Sequence, residues 1–114
     1  MFDDVTSSAL RVAAAGLSLR QRVIANNIAN IDTPGFRAGR VEFERALGAA
    51  AAQHDPSRAT PTVGESLEPT RLDGNNVNLD EETLSNVDTG LRYQLVLRAL
   101  DDRFGHLRDV IRGS

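Results

Sequence analysis

The 114-residue chain has no cysteine, no tryptophan and no lysine, all 13 of its basic residues being arginine. Without cysteine there is no disulfide framework, no thiolate nucleophile and no cysteine-based zinc site. Only 4% of residues are aromatic, so the bulky side chains that fill a large compact core are scarce. Acidic residues outnumber basic ones, 16 to 13, for a formal charge of −3. That balance offers no footprint for a phosphate backbone, and nucleic acid is not an expected partner. The missing lysine is attributed to genomic base composition, although arginine is also the better bidentate partner inside protein interfaces. A long apolar run is absent too: Val12 to Leu19 is short and bracketed by Arg11 and Arg20. The chain opens Met1-Phe2-Asp3-Asp4, acidic where a secretory signal is basic. No cleavable signal peptide, no transmembrane helix and no direct lipid insertion are expected.

Residues that could carry chemistry are present, but not in patterns that use it. His54 lies in a low-complexity stretch and His106 has no His, Cys or acidic partner at ligand spacing, whereas zinc needs several convergent ligands. A calcium loop read from Asp73 puts Val77 where an oxygen ligand belongs, Asn78 where a glycine belongs and Leu84 where the bidentate glutamate belongs,. Ser7, Ser8 and Ser18 have no histidine base in pattern, and no nucleophile-elbow or phosphate-loop glycine spacing occurs,. Asp80, Glu81 and Glu82 are explained by a helix start, where acidic side chains face the positive end of the dipole. Neither catalytic residues, metal ligands nor a cofactor site are expected.

What the chain does have is alanine and helical periodicity. Alanine buries little area but lets helices approach closely, which favours long, thin packing and makes an elongated coiled coil the first expectation. From about Asp3 to Asn30, Leu10, Leu17, Ile24 and Ile31 recur every seven residues, with Ala13, Ala14 and Ile28 between them,. Val5, Val12, Leu19 and Val23 mark a second apolar face, so more than one neighbour is expected,. Gly16 costs about 1 kcal/mol in a helix and is tolerable where a neighbouring backbone must approach closely. A second helix runs to about Arg112 along Tyr93, Leu97, Leu100, Phe104, Leu107 and Ile111, with Leu84, Val87, Leu91 and Leu95 as an overlapping stripe. Gly90 and Gly105 put its straightness in question. Its start is read either as Asp80 capping, with Leu79 and Leu84 as a staple, or as a capping box of Asn78 and Glu81.

Between the helices, Arg37 to Asn78 carries Pro56, Pro61 and Pro69 and cannot be one helix,. Val41 to Ala52 has room for a short helix and Thr60 to Leu72 for a short strand or extended arm. Otherwise this middle is expected to be loop-rich and mobile unless partners order it. The expected fold is therefore all-α, divided as 1–36, 37–79 and 80–114.

The first helix ends in Ala25-Asn26-Asn27-Ile28-Ala29-Asn30-Ile31-Asp32-Thr33-Pro34-Gly35-Phe36. Three asparagines are poor helix formers, and their amides suit either a frayed helix end or a polar network fixing a packed interface. Pro34 pushes Thr33 extended, and Pro34-Gly35 suits a type II turn with Phe36 packing back as an anchor. This segment, followed by Arg37, resembles the signature of the flagellar rod, hook and hook-filament-junction family. The stretch Asp73 to Glu82, the following Tyr93-Gln94 and the short length resemble the proximal-rod members of that family. The resemblance implies a structural subunit exported by the flagellar type III apparatus. Its terminal helices would pair as an antiparallel coiled coil, with Leu10, Leu17, Ile24, Tyr93, Leu97, Leu100, Phe104, Leu107 and Ile111 in the seam. Asn26, Asn27, Ile28, Asn30, Asp32, Thr33, Pro34, Gly35 and Phe36 would form the assembly interface. The implied partners are other rod subunits, copies of itself and the adaptor between membrane ring and rod, in a shaft that spans the periplasm and transmits torque. Two other readings stay open: the sister proximal-rod protein of similar size and, from a different class, a cytoplasmic helical interaction module.

Overall fold

The structure, a computed structural model, describes residues 4–113; nothing is assigned to the side chain of Leu107. Asp4 is extended and its carboxylate accepts the Ser7 amide, so it caps helix α1, Val5–Ala29,. The helix closes at Asn30, whose N–H bonds back to the carbonyls of Asn26 and Asn27. Helix α3, Leu79–Arg112, is capped at its start by Asn78, which accepts the Glu81 amide, and at its end by Gly113 in the left-handed conformation,. Of the two expected starts the Asn78 one is adopted, and Asp80 lies inside the first turn instead. The helix continues through Gly90 and Gly105.

The two helices lie side by side and antiparallel. Arg103 on α3 reaches Ser7 and Asp4 at the start of α1, and Glu82 at the start of α3 reaches Asn27 near the end of α1. With 34 residues against 25, α3 is longer by about 13 Å at about 1.5 Å per residue. The molecule is accordingly drawn out, with extents of 64 × 26 × 15 Å.

The side of α3 turned toward α1 differs from the expected stripe. Buried or half-buried positions run Glu82, Ser85, Thr89, Tyr93, Val96, Leu100 and Arg103, three of the first four being polar. Tyr93 and Leu100 of the expected seam are on it, and Leu17 and Ile24 of α1 are buried with Leu10 half-buried. Leu97, Phe104 and Ile111 are exposed. The reason is length as much as rotation: past Arg103 the helix overruns the described part of α1, so Phe104 and Ile111 have no facing helix there.

The middle is folded, and this corrects the all-α expectation. Strand β1, Gly39–Glu42, pairs antiparallel with β2, Thr62–Glu65, with Val41 opposite Val63. Between them lie helix α2, Glu44–Ala52, and a 3-10 turn at Pro56–Arg58. A two-stranded ribbon is marginal alone; here side chains of α1 cover the outer edge of β1. Asn27 bonds both the N–H and the C=O of Gly39, and Arg20 donates to the carbonyl of Val41. Val41 and Phe43 then meet Leu17 in a small core ringed by Ala13, Leu19, Val23, Leu47, Tyr93 and Val96. Gly16 serves this core. A Cβ there would lie 2.4 Å from the Phe43 ring, so what requires the glycine is a side chain, not the neighbouring backbone expected from sequence.

Candidate assembly site

The asparagine-rich end of α1 leads into two consecutive turns. Thr33 N–H bonds the Asn30 carbonyl at 3.0 Å, and Phe36 N–H bonds the Thr33 carbonyl at 3.2 Å. In the second turn Pro34 and Gly35 are the central residues, and Gly35 has φ +75°, the left-handed value a type II turn requires at that place. Asn30 supports the geometry with its own amide: Nδ2 donates to the Asn26 carbonyl at 2.8 Å and Oδ1 accepts the Thr33 hydroxyl at 3.1 Å.

A segment some forty residues later grips this turn. Asn75 is fully buried, and its Nδ2 donates to the carbonyls of Asn30 (2.8 Å) and Thr33 (2.9 Å) while its Oδ1 accepts the Val77 amide (2.8 Å). Asn76, also buried, accepts the Ala38 amide at 2.6 Å and donates to the carbonyls of Ser66 and Glu68. Gly35 N–H reaches the Asp73 carbonyl at 2.8 Å, and Arg71 spans from the carbonyl of Val77 to that of Ile31. Gly74, at φ +83°, brings this loop so near that a Cβ would stand 3.3 Å from the Gly35 Cα. Backbone groups that a loop would otherwise leave to water are satisfied by amides from across the chain.

Beneath the turn sits a charged joint. Glu82 is 1% exposed and Asn27 fully buried; Asn27 Nδ2 donates to Gly39 O at 3.0 Å and to Glu82 Oε2 at 3.2 Å. Arg40 closes the other carboxylate oxygen at 2.7 Å. Glu82 is thus more than the helix-start acid expected from sequence: it is a buried anion with two partners, the arrangement that makes burying a charge tolerable. A second pair lies beside Phe43. Arg20 grips Glu44 through both oxygens at 2.7 and 2.8 Å and stands over the Phe43 ring at 5.0 Å. The Arg20 hydrogen bonds hold the Glu44 carboxyl at about 2, below its ordinary 4.5,. Asp4 is lowered as well, first by its bonds to Ser7 and then by Arg103.

The signature residues therefore divide. Asn27 faces inward; Ile28, Asn30 and Phe36 are half-buried; Asn26, Asp32, Thr33, Pro34 and Gly35 are exposed. Asn75, Asn76, Arg71, Arg40 and Glu82 were not singled out from sequence as its partners. The signals available were the Asn-Asn pair after Gly74 and a glutamate in register with Ser85 and Thr89 on one side of α3. His54 and His106 are both exposed. Among the described residues every buried side-chain nitrogen or oxygen has a hydrogen-bond partner, and no helix is long and apolar enough to cross a membrane.

A joint with its polar groups mutually satisfied, on two long helices that leave much apolar surface uncovered, defines a helical assembly subunit. Residues 9–37, most of α1 and the whole signature turn, match the family described as flagella basal body rod protein. The flagellar basal body rod protein FlgB of Escherichia coli K12 is 33% identical over 97% of this chain and 98% of its own length. The FlgB protein of Borrelia hermsii is 31% identical over 84% and 87%, and that of Bacillus subtilis 168 is 27% identical over 92% of each. The chain belongs to the FlgB family of flagellar basal body rod proteins.

Proposed function

We propose that the chain is a structural, non-enzymatic subunit of the proximal rod, built into the flagellar basal body together with other rod components. The observation that carries this is similarity to rod proteins along nearly the whole chain, with the signature turn intact and clamped. Within the rod, α1 and α3 act as a paired antiparallel coiled coil. The residues that seat it are Leu10, Leu17, Ile24, Tyr93 and Leu100, with Leu97, Phe104 and Ile111 left for neighbouring subunits; the side chain of Leu107, expected in the seam, lies outside the described residues. Asn26, Asp32, Thr33 and Pro34 present the turn outward, while Asn27, Ile28, Asn30, Gly35 and Phe36 set its shape. In this reading residues 1–36 and 80–114 form the shaft and 37–79 buttress it. The partners are copies of itself, other rod subunits and the adaptor at the membrane ring. Export by the type III apparatus brings it to the periplasm, where the rod carries torque toward the hook.

Deleting the gene and fractionating the cells tests this. The expected result is loss of swimming, restored by a plasmid copy, and recovery of the chain by mass spectrometry in purified basal bodies. Intact swimming, with the chain found only in the cytosol, would overturn the reading in favour of a cytoplasmic helical module.

A further inference from the structure

Strand β2 is exposed along its whole length and pairs on one side only, with β1. Successive residues of an antiparallel strand send their N–H and C=O to opposite edges, and the bonds of β1 fix which residues of β2 face outward. Asn27 takes both backbone groups of Gly39, and Arg20 takes the carbonyl of Val41. Gly39 and Val41 therefore point away from β2, and Arg40 and Glu42 point toward it. By register, Gly64 and Thr62 bond β1, while Val63 and Glu65 aim their N–H and C=O at the open edge. Ser66, whose N–H bonds the Ala38 carbonyl, continues the alternation. Among the described residues nothing bonds the outward groups of Val63 and Glu65. Two donor–acceptor pairs about 7 Å apart are left free, at the repeat on which a further strand bonds.

Beside this edge, between β2 and α1, lies a crevice of about 560 Å³. A Cβ on Gly39 would stand 2.9 Å from Val23 Cγ1 and 3.4 Å from Val63 Cγ1, so Val63, itself 56% exposed, lies on the α1 side of the ribbon. Half-buried Val23 and Phe36 give the crevice its apolar wall, and exposed Arg22 and Arg37 also line it. Neither arginine has a hydrogen bond or ion pair among the described residues, and Glu65 is the only acid of the lining.

We infer that the open edge of β2 takes an extended, acidic peptide segment of a partner protein as a third strand. Its backbone bonds Val63 and Glu65, and its carboxylates face Arg22 and Arg37. The β2 strand of a second copy is the poorer occupant, since it offers one carboxylate, Glu65, and brings two more arginines. With at most four backbone bonds the contact is weak and reversible. This goes beyond the rod reading and stands on the geometry of the ribbon alone.

The test titrates the full-length chain, labelled with nitrogen-15, with capped peptides that alternate valine with aspartate or valine with lysine. The aspartate peptide is expected to shift the Val63 and Glu65 amides and slow their exchange, and to bind about tenfold more tightly than the lysine peptide. Val63→Pro removes an outward N–H without touching the ladder to β1, and should abolish binding. Because proline could still disturb the ribbon, Arg22→Glu with Arg37→Glu is added; these side chains lie off the ladder, and their reversal should make the lysine peptide the tighter ligand. Unshifted Val63 and Glu65 amides at about 1 mM of the aspartate peptide overturn the inference. Equal binding of the two peptides overturns the acidic occupant. Shifts of the same amides that follow protein concentration without peptide assign the edge to a second copy and overturn it as well.

Discussion

Replacing Gly16 by alanine sets local propensity against tertiary packing, and the two give opposite signs. Inside a helix alanine is better than glycine by about 1 kcal/mol. The added Cβ, however, would stand 2.4, 2.6 and 2.6 Å from Cδ1, Cε1 and Cγ of the Phe43 ring, where carbon atoms settle at about 3.5–4.0 Å. The ring is 4% exposed, packed with Leu17 and Val41 and covered by Arg20 at 5.0 Å. A shift of about 1 Å would therefore disturb both the core and the Arg20–Glu44 pair. Overpacking of this kind costs about 1–3 kcal/mol, leaving a net loss of about 0–2 kcal/mol, centred near 1, after the propensity gain. For a domain of this size that is a fall in Tm of about 5 °C. Gly48→Ala on α2 is the reference, since nothing lies within 4 Å of its Cβ position; it is expected to raise Tm by about 2–4 °C. Thermal melts followed by far-UV circular dichroism compare the two. Phe43→Leu in the Gly16→Ala background should cost less than Phe43→Leu alone, because the smaller side chain relieves the clash. If Gly16→Ala melts at or above the parent, tracking Gly48→Ala, the account of the Gly16–Phe43 contact is wrong.

Three further outcomes follow from the polar joints. Asn27→Asp keeps the shape but sets a second carboxylate against Glu82, 3.2 Å away in the present pair, so one of the two acids must have a raised pKa in the fold. Stability of the variant should then be greatest at low pH and fall as pH rises through that pKa; urea unfolding at pH 4 and pH 8 that shows equal losses would refute it. Glu44 carries the opposite sign: its carboxyl is held at about 2 against an ordinary 4.5, so its contribution is present above 4.5 and lost as pH falls toward 2. With Glu44 half-exposed the amount is about 1 kcal/mol after screening, and Glu44→Gln should flatten the acid limb of the stability curve over that window. Asn75→Ala removes the bonds to Asn30 and Thr33 and should cost about 2–3 kcal/mol. Hydrogen exchange should rise first at Thr33 to Phe36, with swimming impaired; unchanged protection of those amides would show that the clamp is not needed.

Much of this molecule could be read from short stretches of chain because the forces concerned are local. Heptad spacing marked two long helices, Asn78 was one of two foreseen caps for α3, and Thr33-Pro34-Gly35-Phe36 turned as its residue types require. The resemblance carried by that turn led to the rod family. Local pattern could not say what each helix face would meet. Asn26 and Asn27 are adjacent and chemically identical, yet a rotation of about 100° leaves the first in solvent and puts the second between Gly39 and Glu82. The strand at 62–65 falls in the stretch read as a short strand or extended arm, but its partner at 39–42 carries no such signal, and the pair forms where Asn27 and Arg20 cover one edge from 12 and 21 residues away. Nor could apolar spacing show that α3 overruns α1, which is why Phe104 and Ile111 are exposed despite perfect periodicity. The sequence alone determined the helices, the turn and the kinship, since each rests on neighbours within a turn or two. Only the tertiary structure decided which polar groups are buried and which apolar ones remain outside, because burial depends on what residues distant in the chain bring to the same place.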